Sequence, residues 1–225
     1  SEWIDPAIID ETNPDLRDPV LDIYAEPATH RPPFSAAFQD TYRAAQQARV
    51  RRITAWVEET LADLRRRGQT TAERGFVVHG TMADLRWLDP SIDPNDREPG
   101  RCYMGDPRQV NLSPAHLARF CSLRSWLSQW SEKSRADGPA CAADITVPAL
   151  VIENTADDAC TPSHTTRIVN GFTQVTPVVH RIHGATHYYI GQREKLADAT
   201  GRILAWLAGL GFIDGDAAPA ASTNP

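Results

Sequence analysis

The longest unbroken pattern in the chain runs from Ser35 to about Arg67, a stretch with neither glycine nor proline. Phe38, Tyr42, Ala45, Ile53, Trp56, Val57, Leu61 and Leu64 recur there at intervals of three and four. That spacing predicts one amphipathic helix of ~50 Å, with Ser35 as its cap and Gly68 as its stop. Arg49, Arg51, Arg52, Arg65, Arg66 and Arg67 lie along it. They read as a solvated face, the last three also complementing the negative end of the helix dipole, with a nucleic-acid stripe as the competing reading.

Beyond the helix, Gly75-Phe76-Val77-Val78-His79-Gly80 predicts a short strand and Leu85 to Leu88 a second. Five prolines between 89 and 114, with several Asp and Gly, predict an ordered loop or lid. Within it Asp93-Pro94-Asn95-Asp96 reads as a turn, since the spacing of a calcium loop is absent. Pro114 to Ser131 reads as helix, with Leu117, Phe120, Cys121, Leu127 and Trp130 apolar.

The pattern changes at Ile145. Ile145-Thr146-Val147-Pro148-Ala149-Leu150-Val151-Ile152 is a continuous apolar run, as expected for a strand buried on both faces of a parallel sheet. Pro162 to Phe172 predicts a helix, Val175 to Ile182 a strand, and Gln192 to Leu210 a final helix. Strand, helix, strand, helix is the order of a doubly wound α/β sheet. The N-terminal 34 residues carry six prolines and read as an extended segment whose Trp3, Ile4, Ile8 and Ile9 lie on an apolar surface. The expected organisation is therefore an extended segment (1–34), a mainly helical cap or lid (35–144), the last strands and helices of an α/β core (145–212) and a flexible tail (213–225).

Composition narrows the function. With 41% hydrophobic residues in 225, the chain has material for a core, which excludes disorder as its main state. No apolar run approaches the ~20 residues that span a bilayer, so no membrane anchor is expected. A net charge of −6 gives no support to nucleic acid as a partner. Cys102, Cys121, Cys141 and Cys160 contain no C-x-x-C pair, which argues against a zinc framework and for thiols in a reducing, cytoplasmic compartment. Ser1 has two readings: removal of an initiator methionine, or internal cleavage of a longer precursor.

Chemistry concentrates in two loops. Glu153-Asn154-Thr155-Ala156-Asp157-Asp158-Ala159-Cys160 follows the first late strand, and His183-Gly184-Ala185-Thr186-His187-Tyr188-Tyr189 follows the second. In a doubly wound sheet both loops sit at the ligand-binding edge. A carboxylate after one strand and an imidazole after the next is what an acid–base pair needs: the carboxylate fixes the tautomer and stabilises imidazolium. His180, His183 and His187 form H-x2-H-x3-H, but His180 and His183 point to opposite faces of a strand, so no metal site is expected from them.

These passages resemble the α/β-hydrolase superfamily. Val147-Pro148-Ala149-Leu150-Val151-Ile152 with Asn154-Thr155-Ala156-Asp157 is similar to the P-x-L-V-I-x-G-x-x-D segment that carries the triad acid. His183-Gly184-Ala185-Thr186-His187 resembles the G-A-x-H histidine loop, and the chain then runs on to Ala205-Trp206-Leu207. The resemblance implies Asp157 as the acid and His187 as the general base, with Asp158 the alternative acid. Asn154 stands where the family has glycine, a departure eased by the tolerance of Asn for left-handed backbone. No cofactor or metal is implied.

What is missing matters as much. G-x-S-x-G, the turn that exposes the nucleophilic serine, is absent, and Ser122, Ser125, Ser128 and Ser131 lie in the predicted helix. The resemblance thus covers the distal part of the fold. It implies a partner chain, cut from the same precursor, that carries G-x-S-x-G and completes the sheet, since two parallel strands alone leave edges and apolar faces in water. The expected activity is a Ser-His-Asp hydrolase acting on a small acyl substrate, first a carboxylic ester, then an amide, carbamate, thioester or lactone. A non-catalytic binding or scaffold subunit is the alternative. Trp56, Trp87, Tyr103, Trp126 and Trp130 are candidates for an apolar substrate wall or for core packing.

Overall fold

The computed structural model describes residues 18–25, 28, 30–69, 71, 73–114, 117 and 119–214. Trp3, Ile4, Ile8, Ile9, most of the leading segment and the tail beyond 214 lie outside the described residues. The chain forms two compact units, one of residues up to 89 with 104–136, the other of 90–103 with 137 onward. It has mixed α/β content, and its sheets are both two-stranded among the described residues.

In the first unit, α1 spans Ala36–Arg66, close to the predicted bounds. The Ser35 hydroxyl accepts the Phe38 N–H at 3.2 Å and closes the first turn. At the other end Gly68 adopts φ +78°, which lets Gln69 N–H reach back to the Leu64 carbonyl at 3.1 Å. Its arginines serve local contacts: Arg49 donates to the carbonyls of His79 and Gly80, Arg51 to Glu132, and Arg66 and Arg67 to Asp63.

Strand β1 (Gly75–Val77) pairs antiparallel with β2 (Phe120–Ser122), Phe76 opposite Cys121. Two expectations fail here. Leu85–Leu88 is a helical turn, α2, because Asp84 caps it by accepting Arg86 N–H at 2.9 Å and holding the Arg86 guanidinium. Helix α3 (Pro107–Leu112) follows.

The predicted helix from Pro114 to Ser131 is replaced by β2, the short α4 (Leu123–Ser125) and a π-helical turn over Trp126–Trp130. Pairing with β1 satisfies the backbone of 120–122, and a reciprocal box between Ser122 and Ser125 starts the helix only after it. The core joins α1 to this sheet through Ile53, Val57, Leu61, Phe76, Val78, Cys121, Leu123 and Trp126.

The second unit opens, after the 90–103 loop, with α5 (Gly138–Ala142). Strand β3 (Leu150–Asn154), helix α6 (Pro162–Gly171), strand β4 (Val178–Ile182) and helix α7 (Arg193–Gly209) follow in the predicted order. The strands are parallel, Leu150 opposite Val178 through Asn154 opposite Ile182. Both begin later than predicted. Asp144 and Ile145 N–H close the last turn of α5, and Pro148 has no N–H to give a ladder, so β3 starts only at Leu150. Burial on both faces is also not found: in β3 only Glu153 is buried, in β4 only Ile182. Gly171 is needed for packing, since a Cβ there would stand 2.5 Å from the Pro139 carbonyl oxygen of α5.

Candidate active site

The site is built wholly from the second unit. Strand β3 ends at Asn154, and the chain turns at once: Asp157 N–H bonds the Asn154 carbonyl at 3.1 Å. That turn points the Asp157 carboxylate at the loop leaving β4. Ala159 and Cys160 donate backbone N–H groups to Asp157 Oδ1 at 2.7 and 2.8 Å, which fixes the carboxylate before any partner is considered. The parallel register brings Ile182 level with Asn154, so the histidine loop starts beside the acid loop. Ala156 N–H bonds the Ala185 carbonyl at 3.0 Å and ties the two loops together.

His187 then meets Asp157. Its Nδ1 lies 2.9 Å from Oδ2 and 3.1 Å from Oδ1. The Asp157 side chain is 8% exposed and that of His187 28%, so the acid is sequestered while the imidazole reaches the surface. Among the described residues nothing hydrogen-bonds Nε2 of His187. The ring is held edge-to-face against Tyr188, centroids 4.6 Å apart, and lies 5.3 Å from the ring of Tyr103. Nδ1–H donating to a buried carboxylate leaves Nε2 as the atom that exchanges protons with an incoming group.

Asp158, the alternative acid, sits beside the pair in a different electrostatic state. Burial first, and then the neighbouring Asp157 charge, push its carboxyl up from 3.8 to about 6. Asp157, not Asp158, makes the hydrogen bonds to His187.

Several supporting residues gave no signal in the sequence. Asn154, which departs from the hydrolase pattern, uses its amide to bridge the two loops: Nδ2 donates to the Thr186 carbonyl at 3.2 Å and Oδ1 accepts the Tyr189 hydroxyl at 2.6 Å. It does so from the strand, without the left-handed backbone that its place in the pattern invited. Tyr189 itself takes φ +54°, a conformation costly for a bulky residue and held in place by that hydroxyl bond. Gln192 caps the arrangement, its Oε1 accepting Thr186 N–H at 2.8 Å and its Nε2 donating to the Gly184 carbonyl at 2.8 Å.

The proline-rich loop supplies the floor. Asn95 donates to the Asp157 carbonyl at 2.7 Å, and buried Arg97 binds the carbonyls of Ile92 and Asp93 and the Asn95 side chain. Asp93 accepts the Ser163 N–H and hydroxyl at the start of α6, so the Asp93–Asp96 turn caps a helix. A sequence signal existed for this last contact only in the Asp-rich turn itself.

Of the five aromatic candidates for a substrate wall, only Tyr103 stands beside His187. Trp87 and Trp126 are buried in the first unit, where Trp126 Nε1 donates to Thr54, and Trp56 and Trp130 pack against that core. Ser122, Ser125, Ser128 and Ser131 cap or back-bond local helical turns. His180 contacts Arg202, and among the described residues the close-set group of metal-ligand types is Asp157, Cys160 and His187 rather than the three histidines. No helix among the described residues is long and apolar enough to cross a membrane.

No protein-family model, curated protein or solved structure matches the chain.

Proposed function

We propose that this chain is the acid–histidine part of an α/β-hydrolase, acting by a Ser-His-Asp mechanism with the serine supplied by residues outside these 225. One observation carries the reading: a buried carboxylate, fixed by two backbone amides, grips Nδ1 of a surface-reaching histidine at the ends of adjacent parallel strands. The β3–α6–β4–α7 order and the quoted sequence resemblance agree with a distal position in a doubly wound sheet.

In the reaction, the incoming hydroxyl donates its proton to Nε2 of His187 as it attacks the acyl carbonyl. Asp157 holds the Nδ1–H tautomer and stabilises the imidazolium that forms. The same Nε2–H then protonates the leaving group, and a water repeats the cycle to release the acid. Amides on the nucleophile-bearing part would hold the oxyanion. Carboxylic esters are the first substrate class, because an ester carbonyl is less stabilised by resonance than an amide carbonyl and is attacked more readily.

The test uses the complete natural protein. A fluorophosphonate should label a serine within G-x-S-x-G, and His187→Ala should lower ester turnover ~100-fold or more, the usual worth of an acid–base group. Labelling that is absent, or turnover within about tenfold of wild type, refutes the reading and leaves the non-catalytic binding role.

A further inference from the structure

Cys160 gives the pair a third member. One ligand atom each from Asp157, Cys160 and His187 lies within 4.8 Å of the other two. Cys160 is exposed and carries a thiol rather than a disulfide, and its loop precedes α6. We propose that these three side chains bind a borderline-soft divalent ion, zinc above all, and that the ion takes His187 out of acid–base use.

The donor set decides the ion. Thiolate, imidazole and a single carboxylate suit zinc and its neighbours, whereas magnesium and calcium demand oxygen ligands. Zinc bonds of ~2.0–2.3 Å in a tetrahedron set ligand atoms ~3.3–3.6 Å apart, so closure asks for movement of about an ångström, within reach of the exposed Cys160 side chain. Asp157 needs none, being held already by the amides of Ala159 and Cys160, the kind of outer support that orients a ligand. Three protein ligands leave a fourth position for water.

Proton bookkeeping then gives the consequence. The Cys160 thiol releases its proton to solvent. Nδ1 of His187, the nitrogen already against Asp157, becomes a ligand, and its proton moves to Nε2. An imidazole protonated at Nε2 has no lone pair for a hydroxyl proton. This loss of activity rests on the function proposed above; the binding does not.

Cobalt(II) is the probe, because thiolate ligation gives it a charge-transfer band in the near ultraviolet. Titration of the protein should produce that band at one equivalent. Cys160→Ser should abolish it and weaken binding at least ~tenfold, about 1.4 kcal/mol. Cys141→Ser, at the other exposed cysteine, should leave both unchanged. Circular dichroism checks that each variant is folded. No band at ~1 mM cobalt, or a band that follows Cys141, overturns the site. In the complete protein zinc should then inhibit ester turnover, with Cys160→Ser shifting the inhibitory concentration upward at least ~tenfold. Binding without inhibition overturns the regulatory half. A protein inactive without metal overturns the hydrolase reading instead, and the cobalt band still judges the site.

Discussion

The two units reach order by different means. In the first, a long helix and a small antiparallel sheet bury eight apolar side chains together, among them Val57 and Leu123 with no measurable exposure. In the second, the buried apolar cluster is Ile182, Ala185 and Ala199, with Ile152 and Tyr189 packed against it, and Cys102, Ala142 and Ala156 are the other small apolar side chains buried there. Helix α6 buries no residue and α7 only Ala199, while Val147, Val178, Val179, Leu196 and Ile203 are 39–64% exposed. What shapes the second unit is polar: Asp157, Asn154, Gln192, Asn95 and Arg97 lace its loops with directed hydrogen bonds. Hydrogen bonds fix angles that apolar contact does not, so such lacing suits a site. It adds little net stability, ~1 kcal/mol per bond, less than the burial of one large apolar side chain.

The widest gap between the units should appear in core truncations. Leu123→Ala removes a side chain with no exposure and should cost ~3 kcal/mol, within the range for buried leucines, read from urea denaturation. Ile203→Ala, at a residue 39% exposed, should cost less than about half of that. Equal losses would break the comparison.

The next effect is electrostatic and confined to the second unit. The folded state holds the Asp158 carboxyl at about 6, above its ordinary 3.8. A raised pKa means the folded state binds the proton more tightly than the unfolded one. The resulting stabilisation is complete below about pH 4 and is lost as the pH climbs through about 6. Asp158 is only half-buried, so solvent screening limits the loss to ~1–2 kcal/mol. Asp158→Asn, which cannot ionise, should therefore raise stability near pH 7 by that amount and change little near pH 4. Denaturation at the two pH values reads the difference, and a variant gain at low pH would reverse the assigned sign.

How much of this was legible in the sequence differs between the units in the same way. Periodicity located α1 to within a residue or two because the Ser35 cap and Gly68 are local devices. Asp157 and His187 were legible because they follow two β-branched runs in the order of a parallel strand pair. Long-range choices were not legible. Nothing local says that 120–122 prefers pairing with 75–77 over continuing a helix, and nothing local sets Ser122, which caps a turn, apart from Ser125, Ser128 and Ser131 in the same predicted helix. The roles of Asn95, Asn154 and Gln192 were hidden for the same reason: each donates or accepts across loops that only the fold brings together. The absence of burial on both faces of β3 reflects a sheet of two strands among the described residues, and strand number is a long-range property that an apolar run does not carry.

The lacing itself can be cut. Asn154→Ala removes two hydrogen bonds that join the strand end to the histidine loop and should cost ~1–2 kcal/mol. Its sharper mark is local: amide exchange should accelerate at Thr186–Tyr189 more than in α1. Under the proposed function ester turnover should also fall, through His187 positioning. Uniform acceleration across both units would show that the bridge serves overall stability alone.

The smallest effect is the most discriminating. Val179→Thr keeps the shape of a β4 side chain that is 40% exposed, so in this chain alone it should change stability by less than ~0.5 kcal/mol. If a sheet from the nucleophile-bearing part covers that face, the same hydroxyl would be buried in the complete protein and cost ~1–3 kcal/mol. The ratio of the two losses, measured in the two preparations, reads the cover directly. A core position such as Leu123 provides the internal standard, since its loss should be alike in both. Losses at Val179 that also match would mean that the exposed face of β4 meets water in the working protein. The contrast between the units would then be a contrast in architecture alone, and under the proposed function the attacking hydroxyl would have to reach His187 without an added strand.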